Sequence, residues 1–187
     1  HYDDQGRFVV DECPRSDTSL PRLASLSPVF CPGGLVTAGN ASAIADGAAA
    51  TVLMGRDRAD ALGCQPLARI VGYTQAAVEP GAIFSAPAHA IQRLLAKTGM
   101  TLDDVDLIEL NEAFAAQTLA NVKALDLDLE RVNVRGGAIA LGHPIGATGA
   151  RVLVTLLHAL RQRGLARGIA ALCLGGGEAV AMMVEIE

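Results

Sequence analysis

The amino-acid sequence predicts a layered α/β protein built on a sheet with a mixed or antiparallel edge. Two observations carry this. Apolar runs of strand length alternate with segments of helical spacing along the chain. The composition is 51% hydrophobic but only 3% aromatic, with no Trp, which suits closely packed helices and strands better than an aromatic-rich β sandwich. At 187 residues the chain is long enough for one substantial domain or parts of two.

Residues 1–44 are irregular: Pro14, Pro21, Pro28 and Pro32 interrupt any long helix, and TSLPRLASL supports at most a short one. From Asp46 the run DGAAATVLMG is small and apolar. RDRADALG then reads as a helix closed by Gly63, and PLARIVGYTQAAV as a strand. In SAPAHAIQRLLAKTG, Pro87 suits a first turn, Ile91, Leu94 and Leu95 share a face, and Gly99 is a carboxy-terminal cap. TLDDVDLIEL pairs a T-x-x-D cap signal with a short strand ending at Leu110, and NEAFAAQTLANVKAL resumes helical spacing. GATGARVLVTLLHALRQRG is a helix buried along Val152, Leu153, Leu156, Leu157 and Leu160, with Arg161 and Arg163 at its negative end. GIAALCL and AVAMMVEI are strands joined by GGGE, short enough for a hairpin.

A net charge of −5, no basic block and no interleaved aromatics exclude a nucleic-acid footprint. Cys13, Cys31, Cys64 and Cys173 are widely spaced without a CxxC pair, which argues against a metal site and a disulfide scaffold; a reducing, cytoplasmic location is expected. No apolar stretch reaches the ~20 residues that span a bilayer, and HYDDQGRF is neither a signal nor a transit peptide, so no membrane partner is expected. The chain begins at His1 rather than Met and is expected to start within a longer protein.

Three junctions place a reactive side chain where a strand or apolar run meets a glycine-rich or helix-initiating turn: Asn111 in ELNEAFAAQ, His143 in ALGHPIGATG and Cys173 in ALCLGGGE. Ends of strands are where α/β sheets bind ligands. His143 is either a general base or a histidine satisfied by backbone in a tight turn. Cys173, followed by glycines whose amides are unobstructed, is a nucleophile or acid/base, or else a small buried hydrophobe. Asn111 is a helix cap, or orients a water or carbonyl. GHPIGATG has no Lys for a phosphate loop, and GGGEAV lacks the last glycine of a dinucleotide fingerprint. His1, His89 and His158 sit in polar or helical settings, and Cys13, Cys31 and Cys64 have no catalytic pattern.

Taken in order, VTAGNASAIADGAAA, NEAFAAQ, GGAIALGHPIGATGAR and CLGGG resemble the carboxy-terminal half of the thiolases, the acetyl-CoA acetyltransferase and 3-ketoacyl-CoA thiolase family, across nearly the whole chain. The resemblance implies a mixed five-stranded sheet flanked by helices, with residues 1–44 ending a loop domain, 45–66 the last part of the amino-terminal half and 67–187 the carboxy-terminal domain. It implies an acyltransferase that cleaves 3-ketoacyl-CoA with CoA or runs the reverse Claisen condensation of acetyl-CoA. His143 would activate a nucleophilic cysteine and Cys173 would move the proton at the substrate α-carbon. Asn111, through a water, and Gly175, through its amide, would build the two oxyanion holes. Phe30, Ala38, Ser42, Ile44, Ala113 and Phe114 match positions that contact CoA, which is a substrate; no cofactor is implied. Dimers or tetramers of like chains are usual in the family.

Two departures accompany the resemblance. None of the four cysteines occupies the nucleophile's motif, so the nucleophile is expected outside this chain, in an amino-terminal half of the same protein or a second chain; this chain alone is expected to be inactive. Glu178 and Ala179 follow GGG where the family has an uncharged residue and glycine, which is expected to affect the turn or the substrate preference. The rivals are a non-catalytic CoA-binding or interaction module of the same fold and a ketoacyl synthase, whose site has histidine or asparagine where this chain has Cys173.

Overall fold

A five-residue helix, α1 (Leu20–Ala24), capped by the Ser19 hydroxyl, is the only helix in the proline-rich opening segment among the described residues, 3–187 of a computed structural model. His1 lies outside them. Next comes α2 (Arg56–Ala61), which ends as expected in a left-handed Gly63. Strand β1 (Ala68–Ala77) leads through a 3-10 turn to α3 (Ala86–Thr98), with Pro87 in its first turn and left-handed Gly99 closing it. A capping box between Thr101 and Asp104 precedes β2 (Leu107–Leu110), followed by α4 (Ala115–Leu125). The chain ends with α5 (Ala138–Leu141), α6 (Thr148–Arg163), β3 (Arg167–Leu174) and β4 (Glu178–Ile186).

The sheet order is β1-β4-β3-β2. The hairpin expected from GGGE joins β3 to β4, β1 runs antiparallel to β4, and β2 is parallel to β3, so the sheet is mixed. Helices cover both faces. Ile91 and Leu94 of α3, with Val122 and Leu125 of α4, pack on Ile169, Ala171 and Met183. Val152, Leu156 and Leu160 of α6 pack on Leu107, Ala170 and Val184.

Among the described residues four strands form the ladder, where five were expected. The place beside β2 is held by a single parallel bridge, Ile108 to Val132, with the Asn133 N–H donating to the Ile108 carbonyl at 2.9 Å. Asn133 then turns into the left-handed region at φ 48°, which ends the pairing. Its side chain replaces the missing backbone: Oδ1 accepts from the Leu110 N–H at 2.8 Å and Nδ2 donates to the Leu110 carbonyl at 2.8 Å. Sequence patterning could not show this, because a side-chain amide was doing the work of a strand.

Every residue of β2 is buried. Ile108 and Leu110 join the α3 core and Leu107 the α6 core, so the alternation sends Glu109 toward α6. Glu109 is 1% exposed, and its Oε1 has no hydrogen-bond partner among the described residues. Burial pushes its carboxyl up to about 7, against the opposing pull of Arg151.

Asn133→Ala strips both Leu110 partners and is expected to cost roughly 2–4 kcal/mol in urea denaturation; Asn133→Gly, which keeps the backbone turn easy, should lose a similar amount, and a neutral Asn133→Gly would show that the side chain is dispensable. Glu109 binds its proton more tightly folded than unfolded, so its stabilising contribution is complete below its ordinary 4.5 and is lost as pH rises through about 7. Glu109→Gln should therefore gain on the unsubstituted protein between pH 5 and pH 8, by up to about 3 kcal/mol. A stability difference that is flat over that range contradicts the burial argument.

Candidate active site

Asn111 and Cys173 lie at the carboxyl ends of neighbouring parallel strands. The Asn111 N–H donates to the Ala171 carbonyl at 2.9 Å, prolonging the β2–β3 ladder by one step. Asn111 is 2% exposed, and α4 starts only at Ala115 with Phe114 in the cap position, so Asn111 is not a helix cap. Cys173 is half-buried two residues beyond Ala171, on the same side of the pleat. Burial raises its thiol above the ordinary value, so it is a neutral S–H at pH 7.

His143 follows Gly142, whose φ of 92° and close approach to Ala45, 2.5 Å from where a Cβ would stand, require glycine. The His143 N–H donates to the Ala43 carbonyl at 2.8 Å. Its Nδ1 lies 2.7 Å from the Thr148 hydroxyl, which donates its one proton to the Pro144 carbonyl at 2.9 Å. The hydroxyl can therefore only accept from the ring, which places the imidazole proton on Nδ1 and leaves Nε2 as the basic nitrogen. Burial, and then the charge of Arg151, holds His143 below its ordinary 6.5, so the ring is neutral at pH 7. The main chain of His143 is satisfied by Ala43 and its ring is held by Thr148.

Residues 40–44 stitch two of the loops together. The Ala115 N–H donates to the Asn40 carbonyl at 2.9 Å, Ala41 bridges Phe114, and the Ser42 N–H donates to the Ala113 carbonyl at 3.2 Å. Ile44 then bridges His143. Phe114 meets Phe30 and Phe84 edge-on, with centroids at 5.9 and 5.3 Å. Of the six positions matched to CoA, Ser42, Ala113 and Phe114 are half-buried in this seam, while Phe30, Ala38 and Ile44 are exposed beside it.

The third loop is open at Gly175, where an added Cβ would meet nothing within 4 Å. The turn is made by Gly176 and Gly177, at φ 84° and 96°. Glu178 lies exposed at the start of β4, and Ala179 is fully buried in the ladder opposite Cys173, so this substitution pair leaves the glycines to form the turn. Sequence reading missed the residues beneath the loops. Thr148 and Arg151 occupy the first turn of α6, and Arg151 Nη2 reaches Asn111 Oδ1 at 3.5 Å. Glu112 Oε2 accepts from the Ile139 N–H at 3.0 Å. The available signals were an isolated carboxylate in LIEL and an isolated cation beside the apolar stripe of α6. Among the described residues, no group of three or more His, Cys, Asp or Glu is placed to hold a metal, and no helix is long and apolar enough to cross a membrane.

Comparison with known proteins matches two family descriptions: "Thiolase, N-terminal domain" over residues 1–57 and "Thiolase, C-terminal domain" over residues 64–186. Acetyl-CoA acetyltransferase of Chromobacterium violaceum is 53% identical over 95% of this chain, and the cytosolic acetyl-CoA acetyltransferase of Mus musculus is 52% identical over 94%. The chain spans 45% of the length of each. The crystal structure of the Bacillus anthracis acetyl-CoA acetyltransferase superposes with a TM-score of 0.92 at 54% identity, covering 95% of this chain and 45% of that one. Human mitochondrial 3-ketoacyl-CoA thiolase in complex with CoA gives 0.88 at 41% identity, covering 96% and 46%. With more than half of its length matched by one family description, and the mixed sheet and helices superposing on solved members, the chain belongs to the thiolase family.

Proposed function

We propose that this chain carries the acid–base and oxyanion-binding part of a thiolase site, acting in acyl transfer between acyl-CoA and CoA. The observation that carries this reading is the Thr148 hydroxyl, which commits His143 to presenting a basic Nε2, beside a strand pair ending in buried Asn111 and a neutral Cys173 thiol. In thiolysis, a cysteine from the part of the relatives' length that this chain does not span gives its proton to His143 Nε2, and its sulfur attacks the 3-keto carbon. The carbon–carbon bond breaks, its electron pair passes to the thioester enolate, and the Cys173 thiol protonates the α-carbon to release acetyl-CoA. The Cys173 thiolate then takes the proton of the incoming CoA thiol, whose sulfur displaces the first cysteine from the acyl group, and that cysteine takes back the proton held by His143. Asn111, through a water, and the Gly175 amide stabilise the oxyanions that develop. Claisen condensation of acetyl-CoA is the same path reversed.

Phe30, Ala38, Ser42, Ile44, Ala113 and Phe114 form the CoA wall in this reading, an apolar surface for a pantetheine arm; CoA is substrate and no separate cofactor is invoked. Residues 1–44 act as the end of a covering loop domain, 45–66 as the last part of an amino-terminal half and 67–187 as the carboxy-terminal domain. Val52 and Leu53 are 86% and 63% exposed, and Ile44 and Ile145 are 99% and 79% exposed. Apolar surface of this kind marks contact sites, which agrees with cover from an amino-terminal half and assembly as a dimer or tetramer. A cytoplasmic location is part of this proposal.

The test uses the full-length protein carrying this chain, assayed for thiolysis of acetoacetyl-CoA and for condensation. His143→Ala and Cys173→Ser should each lower kcat by about 10²- to 10⁴-fold, and Asn111→Ala by about 10²- to 10³-fold. A full-length protein that binds CoA yet performs neither reaction is a binding module instead. Because His143 is held neutral below its ordinary 6.5, the acid limb of kcat/KM should fall below pH 6.5, the base being lost only when the ring is protonated there. An acid limb above pH 6.5 contradicts His143 as that base.

A further inference from the structure

Beneath Asn111 lies a buried charged cluster with no part in the steps above. Arg151 Nη2 donates to Asn111 Oδ1 at 3.5 Å, and Arg151 Nε and Nη1 are buried without hydrogen-bond partners among the described residues. Glu109, across the α6 face of the sheet, is equally short of partners at Oε1. Glu109 and Glu112 are the carboxylates whose charges favour the guanidinium, against the burial that disfavours it. A guanidinium with five donors, held in such a place for one contact, is costly to stability. That contact is with the oxygen end of the Asn111 amide.

A primary amide has two ends that differ only in chemistry, and packing alone distinguishes them poorly. A cation on Oδ1 settles the choice. It directs Nδ2, the donor, to the other side, and polarises the amide so that its N–H donates more strongly. Thr148 and Arg151 are three residues apart, so one turn of α6 holds His143 Nδ1 with the first and Asn111 Oδ1 with the second.

We propose that Arg151 is a positioning residue that clamps the oxygen of the Asn111 amide so that Nδ2 faces the reacting thioester. The catalytic consequence rests on the thiolase reading given above; the orientation of the amide does not.

The experiment uses the full-length protein. Arg151→Met should lower kcat for acetoacetyl-CoA thiolysis by about 10- to 100-fold, with KM changed less than about threefold, and Arg151→Lys should recover part of the loss. In an Asn111→Ala background, Arg151→Met should cost less than about twofold more, since its route of action has already been removed. Additive losses, or a change confined to KM or to thermal stability, overturn the proposal. Neutron crystal structures of deuterium-exchanged protein, in which amide nitrogen and oxygen are distinguishable, supply a readout independent of turnover: one amide orientation for Asn111 in the unsubstituted protein and a rotated or split one in Arg151→Met. An unchanged single orientation overturns it even if the kinetics fall. If Arg151→Met fails to fold, Glu109→Gln/Arg151→Met, which removes both buried charges, takes the same measurements. If the unsubstituted protein shows no thiolysis, the functional reading fails and the crystal structures alone decide the clamp.

Discussion

The Thr148 hydroxyl is the interaction on which the site depends, because it has one proton and two neighbours. Fully buried, it donates to the Pro144 carbonyl and so must accept from His143. One hydrogen bond thereby selects the tautomer, and the other ties the GHP loop to the first turn of α6. The helix in turn is fixed by Val152, Leu156 and Leu160 against the sheet. It lies so close to β3 that a Cβ on Gly168 would stand 2.6 Å from the Leu156 side chain. The imidazole is therefore tied by one hydrogen bond to a helix packed in the core, although its loop is rich in glycine.

The opposite side of the site depends on a similar substitution of side chain for main chain. β2 has four residues and is exposed to pairing on one edge, where a fifth strand stops after one bridge. Asn133 completes that edge with its amide, so the last peptide groups before Asn111 are paired on both sides. Glu112 then reaches α5, in the space left by the absent side chain of Gly137, and holds the turn after Asn111 against the segment that leads into the GHP loop. The two loops are joined a second time by residues 40–44. The site is a set of strand ends laced together by polar side chains, and the apolar core lies beneath.

Much of this was legible in advance for a physical reason. Helices such as α3 and α6 carry their stripe, cap and stop signal within a few residues of each other, and the β3–β4 hairpin is closed by adjacent glycines, so local chemistry decides them. Asn111, His143 and Cys173 were legible because each interrupts an apolar or glycine-rich run. Arg151 and Asn133 were not, since each acts through a partner distant in sequence: Asn133 is 23 residues from Leu110, and Arg151 is 40 from Asn111. Thr148, five residues from His143, reads as an ordinary first-turn residue of α6, and Glu109 as a single carboxylate in an apolar strand. Ordinary polar residues acquire a function only when the fold supplies the other half of the contact. The truncated fifth strand escaped notice for the same reason.

Burial sets the charge of the site at rest, and Arg151 sets its bias. Desolvation keeps His143 unprotonated and Cys173 protonated, so the resting groups are neutral and electrostatic forces inside are weakly screened. Into that environment the fold places one fixed cation. Its charge disfavours imidazolium, which handicaps proton uptake by His143, yet the same charge favours negative oxygen developing beside Asn111. The two effects have opposite signs for the base and for the enolate of the proposed reaction. Their balance turns on distance and shielding: Arg151 touches the asparagine directly and acts on the histidine only through space, while Glu109 and Glu112 offset part of its field.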